Sequence, residues 1–442
     1  MSAKAGYWMS SAFYTILQNV TGVAFTFGGF YLLVRMLDKH QFGVWALFMS
    51  TVTILEFMRG GLIQNALIKY LSFETPEEHS RIISSSLIIN GALTAVCIAL
   101  NFGMASLLTQ LWQAPELLQI FHLYSLVFVI SGFLTVFNSI EQANLEFKGV
   151  FAGAFARQGI FFLYILVCFG LGKEIILTNL VYAQFASFFI SAIIAYLYSS
   201  RYYKLDFRVD RQWIRKLFNY GKYAFGTSLS SILSSTIDQM MLGAILSPVA
   251  SGAFNIAVRI TNLIDIPTNA IAVIVFPQSA KRIETDGKPA VKYLYEKSVG
   301  VLMAILIPAV VVLFIFADLV VELIAGERYQ DAVPLLKVVL LYCLLMPYAR
   351  QFGNILDSIG KPKLNFYIVL TTAIINIAMN YMFISSLGVM GAAYATLCSS
   401  VIGFVISQYI LKRELNVQTA NTLKYALAFY PEFYNRYVRP RF

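Results

Sequence analysis

Apolar spans of about 20 residues, the length a helix needs to cross a bilayer, follow one another along this chain almost without pause. No stretch between them is long enough to fold as a soluble domain. Lipid offers no partner to a bare N–H or C=O, so each span has to be helical. Hydrophobic residues make up 58% of the 442 positions and charged residues 13%, and the mean hydropathy is +0.69. The sequence therefore predicts an all-α polytopic membrane protein whose chemistry is done by side chains projecting from helices.

Twelve helices are expected, over 11–35, 42–68, 82–109, 117–141, 150–171, 174–198, 220–246, 250–278, 298–325, 333–356, 364–387 and 390–411. Pro and Gly punctuate the breaks, at Glu74-Thr75-Pro76, Asp286-Gly287-Lys288-Pro289 and Gly360-Lys361-Pro362. With both termini cytoplasmic, the inner segments hold 24 of the 33 Lys and Arg, the outer segments 5, and four arginines lie within spans. This asymmetry is what the positive-inside rule requires, and it predicts a multi-pass protein of the plasma (inner) membrane. The net charge of +10 then reflects topology and contact with anionic membrane lipid, and excludes a nucleic-acid reading. No signal peptide is expected, because the first span is too long for one. Cys97, Cys168, Cys343 and Cys398 lie in apolar spans without paired spacing, so neither a disulfide framework nor a metal site is predicted.

The longest polar connection, 201–219, divides the chain into an N-terminal six-helix lobe (1–200) and a C-terminal one (220–412), with a basic aromatic cytoplasmic tail (413–442). In the connection Asp210 is placed to cap a helix. Trp213, Ile214, Leu217 and Phe218 share one face and Arg211, Arg215 and Lys216 the other, the pattern of a helix lying in the cytoplasmic interface. The tail should behave similarly after Pro431 breaks it. Aligning Gly43 with Gly252 sets Leu33 on Leu242, Trp45 on Phe254 and Glu56 on Asp265, a faint repeat consistent with two parallel halves.

Several stretches carry a family resemblance. Leu32-Leu33-Val34-Arg35-Met36-Leu37 followed by Phe42-Gly43-Val44-Trp45-Ala46-Leu47 resembles the "LLARLL…FG.YAL" signature of polysaccharide flippases. Ala66-Leu67-Ile68-Lys69-Tyr70-Leu71-Ser72 is similar to "AL.RY.S". Asp238-Gln239-Met240-Met241-Leu242-Gly243 with Gly252-Ala253-Phe254-Asn255-Ile256-Ala257 is similar to "D..ILG…G.YN.A". The resembled family is the polysaccharide transporter family of the multidrug/oligosaccharidyl-lipid/polysaccharide exporter superfamily. The resemblance implies two six-helix lobes around a central cavity that opens alternately to either side, and a single chain suffices for that pathway. The implied cargo is a lipid-linked oligosaccharide on polyprenyl diphosphate, moved to the outer leaflet, with glycan polymerase or export machinery as a further partner.

Charges at membrane depth cost roughly 2.5–3.5 kcal/mol at a helix centre and are functional candidates by default. Arg59, Arg259 and Arg350, with Arg35 near a span end, are the candidate substrate-binding residues, since a guanidinium keeps its charge in a low dielectric and grips phosphate bidentately. Arg157 is a weaker candidate. The bland alternative has Glu56 and Arg59, three apart on one helix face, neutralising each other, and Arg157 and Arg350 reaching the headgroups. Glu56, Asp238 and Asp265 are the candidate ion-coupling carboxylates, able to carry H⁺ or hold Na⁺, with structural pairing to Arg as the alternative; no other cofactor is expected. Gln18, Asn19, Gln64, Asn65, Asn255 and Asn262 could hydrogen-bond sugar hydroxyls or a neighbouring helix.

A cation-coupled drug exporter of the same superfamily is the second functional reading. An acid in the first helix would favour it, and 11–34 contains none. A membrane-embedded polymerase or glycosyltransferase would need acids in a large outer loop, where loop 36–41 offers only Asp38. His40, His79 and His122 carry no ligand spacing. The sequence thus points away from an enzyme and toward a flippase.

Overall fold

A computed structural model describes residues 2–202 and 210–435. Residues 203–209 of the central connection and the tail from 436 on, with Arg436, Arg439 and Arg441, lie outside the described residues. No strand occurs among the described residues. Among the described residues ten helical segments are long and apolar enough to cross a membrane, and a bent pair makes an eleventh. The chain divides into two compact units, Met1–Leu233 with Ser247–Val249, and Ser234–Leu246 with Ala250–Phe442.

Unit 1 contains α1 (Ser2–Met36), α2 (Lys39–Phe73), α3 (Pro76–Leu111), α4 (Glu116–Ala143), α5 (Phe147–Gly170) and α6 (Leu177–Ser199). Helix α4 is its hub, packing on α2, α3, α5 and α6, while α1 packs on α5. The helix boundaries follow local chemistry. Asp38 caps α2, its Oδ1 accepting the Gln41 N–H at 2.7 Å in a reciprocal capping box, and Pro76 opens α3 where its missing N–H costs nothing. The lone acid of loop 36–41 is thus a helix cap.

Helix α7 (Arg211–Ile245) begins nine residues before the expected seventh span, and Asp210 caps it by accepting the N–H groups of Gln212 and Trp213 at 2.8 and 3.3 Å. Its first turns do not lie free in the interface. Trp213 and Leu217 are buried among Leu62, Ile63, Ala66, Leu67, Ile82 and Ile140 of unit 1, and the Trp213 indole donates to Glu78 at 2.8 Å. The portion of α7 from Ser234 on belongs to unit 2. Helix α7 has the length to span but is more polar than the ten counted segments, which is where the expected twelve and the observed count part.

Unit 2 continues with α8 (Pro248–Asn262), α9 (Asp265–Thr285), α10 (Gly287–Ile315), α11 (Ala317–Ala325), α12 (Val333–Cys343), α13 (Met346–Ser358), α14 (Pro362–Leu387), α15 (Val389–Leu415) and α16 (Thr419–Phe433). Three expected spans are broken. The eighth is the pair α8–α9, bent by 50°. The ninth divides into α10 and α11 at Phe316, and the tenth into α12 and α13 at Leu344–Leu345. Pro267 and Pro347, each in the first turn after a break, lack the N–H that would continue the ladder.

The tail is a packed element of unit 2. Glu296, only 2% exposed, accepts the Gln418 N–H at 2.7 Å and the Asn421 amide at 3.0 Å. The Tyr430 hydroxyl donates to the Ala304 carbonyl at 2.7 Å. Pro431 sits inside α16 without ending it.

Gly43, from the signature at the start of α2, has a packing reason. A Cβ there would fall on the Pro248 carbonyl, backbone that cannot step aside. Gly43→Ala is expected to lower stability by about 1–3 kcal/mol or more, read as a fall in the melting temperature of the detergent-solubilised protein; an unchanged melting temperature would remove this contact from the fold.

Candidate functional site

Arg59, Glu56, Arg157 and Arg35 of unit 1 each meet a protein group. Arg59 is 2% exposed, and its Nη1 donates to the Phe128 carbonyl at 2.6 Å and to Ser131 Oγ at 3.0 Å. These bonds fasten α2 to α4. Glu56, three residues earlier, accepts the Tyr124 hydroxyl at 3.1 Å, and no ion pair joins it to Arg59 among the described residues. Each makes its own hydrogen-bond contact to α4, while their charges still attract one another along α2. Arg157 lies over the Phe188 ring at 4.9 Å, and Arg35, in the last turn of α1, over the Tyr31 ring at 4.5 Å. In this conformation Arg59 is enclosed by protein and offers no open face to a ligand.

Unit 2 differs. Arg259, half-buried on α8, makes no hydrogen bond or ion pair among the described residues. Beyond the α8–α9 break, Asp265 accepts Arg350 Nη2 at 2.8 Å and the Asn269 amide at 2.9 Å. The Arg350 side chain is still 46% exposed and that of Asp265 12%, with Asn262 and Asn269 exposed beside them in sequence. Charged and amide groups left open within spans call for a water-filled space in place of lipid.

The third site is a buried carboxylate. Asp238, on the unit 2 portion of α7, is 5% exposed. Its Oδ1 accepts the Asn380 amide at 2.5 Å and its Oδ2 the Thr396 hydroxyl at 2.8 Å. Asn380 Nδ2 also approaches the carbonyl and Oδ1 of Asn376, at 3.0 and 3.1 Å, and Asn376 donates to Ser399 at 3.2 Å. No Lys, Arg or His pairs with Asp238 among the described residues. An acid held only by neutral groups in an apolar bundle can exchange a proton or a small cation without breaking an ion pair. Asn376 and Asn380 escaped the sequence reading, although two amides one helical turn apart in an apolar span were a visible signal. Asn255, read as a sugar or helix contact, donates to Gln239 at 2.9 Å.

Residues 32–334 match the family described as polysaccharide biosynthesis protein. The chain belongs to that family. Among the family's curated relatives, the probable low-salt glycan biosynthesis flippase Agl15 of Haloferax volcanii is 24% identical over 204 residues, 46% of this chain and 43% of the relative. The match thus spans less than half of that relative's length. The lipopolysaccharide biosynthesis protein WzxC of Escherichia coli is 21% identical over 392 residues, 86% of this chain and 74% of WzxC. Among solved structures, an inward-facing multidrug resistance MATE family transporter of the MOP superfamily matches with a TM-score of 0.78 at 14% identity, over 89% of this chain and 95% of that one. Lipid II flippase MurJ in an inward closed conformation matches with 0.77 at 14% identity, over 97% and 92%. At such identity the structural matches establish the all-helical fold and nothing beyond it.

Arg59 tests the division between held and open charges. Arg59→Met keeps the length of the side chain and removes its two donors to α4, so it should cost about 1.5–3 kcal/mol of stability, the range for hydrogen bonds made by charged groups. Thermal unfolding in detergent measures it; a variant as stable as the parent would leave Arg59 free for another role.

Proposed function

We propose that this protein is a flippase that carries a polyprenyl-diphosphate-linked oligosaccharide from the cytoplasmic to the outer leaflet, exposing its site to one side at a time. The observation that carries the reading is Arg259: a guanidinium within a span, half-buried and without a partner among the described residues, supplies the charge that a diphosphate needs. Arg350 is the second contact, since it is exposed and bound to a carboxylate that an anionic headgroup can displace. Family membership and the names of Agl15, a probable glycan biosynthesis flippase, and WzxC, a lipopolysaccharide biosynthesis protein, support a glycan cargo. A drug exporter fits less well, because open arginines repel cationic drugs. No catalytic step is assigned to any residue. The proposed setting is the plasma (inner) membrane with both termini cytoplasmic, supported by the concentration of Lys and Arg in the inner segments. The chain acts as a monomer, handing cargo to glycan polymerase or export machinery.

Asp238 is the proposed seat of a coupling ion, H⁺ or Na⁺. Binding there shifts the conformational balance only if the ion prefers one state over the other, and a cage of neutral groups on α7, α14 and α15 provides that preference when those helices move.

Two outcomes follow. Arg259→Ala should abolish glycan export while the protein stays in the membrane, with lipid-linked oligosaccharide accumulating on the cytoplasmic leaflet; normal export would remove Arg259 from the site. In proteoliposomes, an imposed Na⁺ or H⁺ gradient should accelerate transport by the parent and not by Asp238→Asn. Equal acceleration of both would place coupling elsewhere.

A further inference from the structure

In unit 2, α9 and α13 run side by side and are tied at two points. Arg350 of α13 bonds Asp265 of α9 at 2.8 Å, and Ser279 of α9 donates to Ser358 of α13 at 2.7 Å. At helical spacing, positions 265, 268, 272 and 279 share one face of α9, and 350, 351, 354 and 358 share one face of α13. Thr268, Gln351 and Asn354 therefore lie in the seam between the two ties.

The seam is polar and unsatisfied. Gln351 and Thr268 are both 0% exposed. Yet both amide atoms of Gln351, the Thr268 hydroxyl, Asn354 Nδ2 and Asp265 Oδ1 have no hydrogen-bond partner among the described residues. Buried polar groups in native proteins are nearly always paired, and each exception needs a cause. Packing does not supply one: Tyr348, Phe352 and Ile355 on the same helix join an apolar core, and a leucine at 351 would extend it.

We propose that this seam is a second binding surface, for hydroxyls of the cargo's sugar, closed in this conformation by the Asp265–Arg350 pair. The inference rests on the flippase reading above. A carboxamide presents a donor and an acceptor side by side, matching two neighbouring hydroxyls of a sugar ring. The Thr268 hydroxyl, the Asn354 amide and Asp265 Oδ1 extend the set on either side of it. A diphosphate that draws Arg350 away from Asp265 unfastens one end of the seam, so capture of the charged head exposes the groups that read the sugar. The prolines and helix breaks just above both half-helices give them the freedom to part.

Gln351→Leu separates a sugar contact from a packing residue. A packing role predicts transport and melting temperature both at the parent's level. A sugar contact predicts about tenfold accumulation of lipid-linked oligosaccharide in cells whose only copy carries Gln351→Leu, the size of one lost buried hydrogen bond, with a purified variant that melts no lower than the parent. A second readout is Thr268→Cys, which an impermeant maleimide should label in an Arg350→Gln background and not with Arg350 in place. Parent-level intermediate in Gln351→Leu, or equal labelling in both backgrounds, overturns the seam. Deleting the gene distinguishes the two levels of the proposal: unchanged lipid-linked glycan on deletion sinks the flippase reading and the seam with it, whereas accumulation on deletion without accumulation in Gln351→Leu removes the seam alone.

Discussion

Lipid cannot solvate a charge, so each ionisable side chain in the spans must be held by protein, by water or by cargo. That requirement sorts this molecule. Arg59 sets its Nη1 on a carbonyl and a hydroxyl of α4, while its buried Nε has no partner among the described residues. Asp238 is met by an amide and a hydroxyl that leave its charge uncompensated. Arg350 shares a carboxylate while staying half open, and Arg259 has no partner among the described residues. The four groups look alike in sequence and differ entirely in what surrounds them.

The same requirement explains where the helices break. A polar backbone group exposed by a kink is tolerable only where protein or water can satisfy it. The interruptions at Leu263–Ile264 and Leu344–Leu345 fall in unit 2, beside the Asp265–Arg350 pair. Helices α2 to α6 of unit 1 run unbroken and are closed by aromatic packing, such as Phe48 against Phe121 and Tyr124. The Asp265–Arg350 pair thus stands beside irregular backbone, whereas Arg59 and Asp238 are enclosed between unbroken helices.

Helix existence was legible in the sequence because bilayer thickness imposes a length, and the Asp210 cap because it needs no tertiary context, whereas α2 and α3 start at 39 and 76, ahead of the expected 42 and 82. Partners were not legible. Glu56 and Arg59 stand at the spacing of an ion pair on one helix, but a carbonyl on α4 outcompetes the neighbour. Nothing in the residues around 213 says whether Trp213 meets headgroups or Leu67; the indole bond to Glu78, 135 residues away, decides it. Pro431 reads as a stop, yet contacts to α10 on the preceding turns carry the helix past it. Gln351 carried no signal, because an amide's lack of a partner is a property of the fold.

Helix α7 gives its first part to unit 1 and its second to unit 2, and unit 1 also claims Ser247–Val249 beyond it. The two units are interlaced along the chain, which bears on how the protein is made. Asp238 enters the membrane well before its hydrogen-bond donors, since Asn380 lies 142 residues later and Thr396 158 residues later. At a synthesis rate of about 5–20 residues per second that is a wait of roughly 7–30 s. During that interval a carboxylic acid sits at the translocon or in lipid with its partners still on the ribosome. The polarity of α7 thus places a demand on the insertion machinery, which must shelter that helix until the last spans arrive.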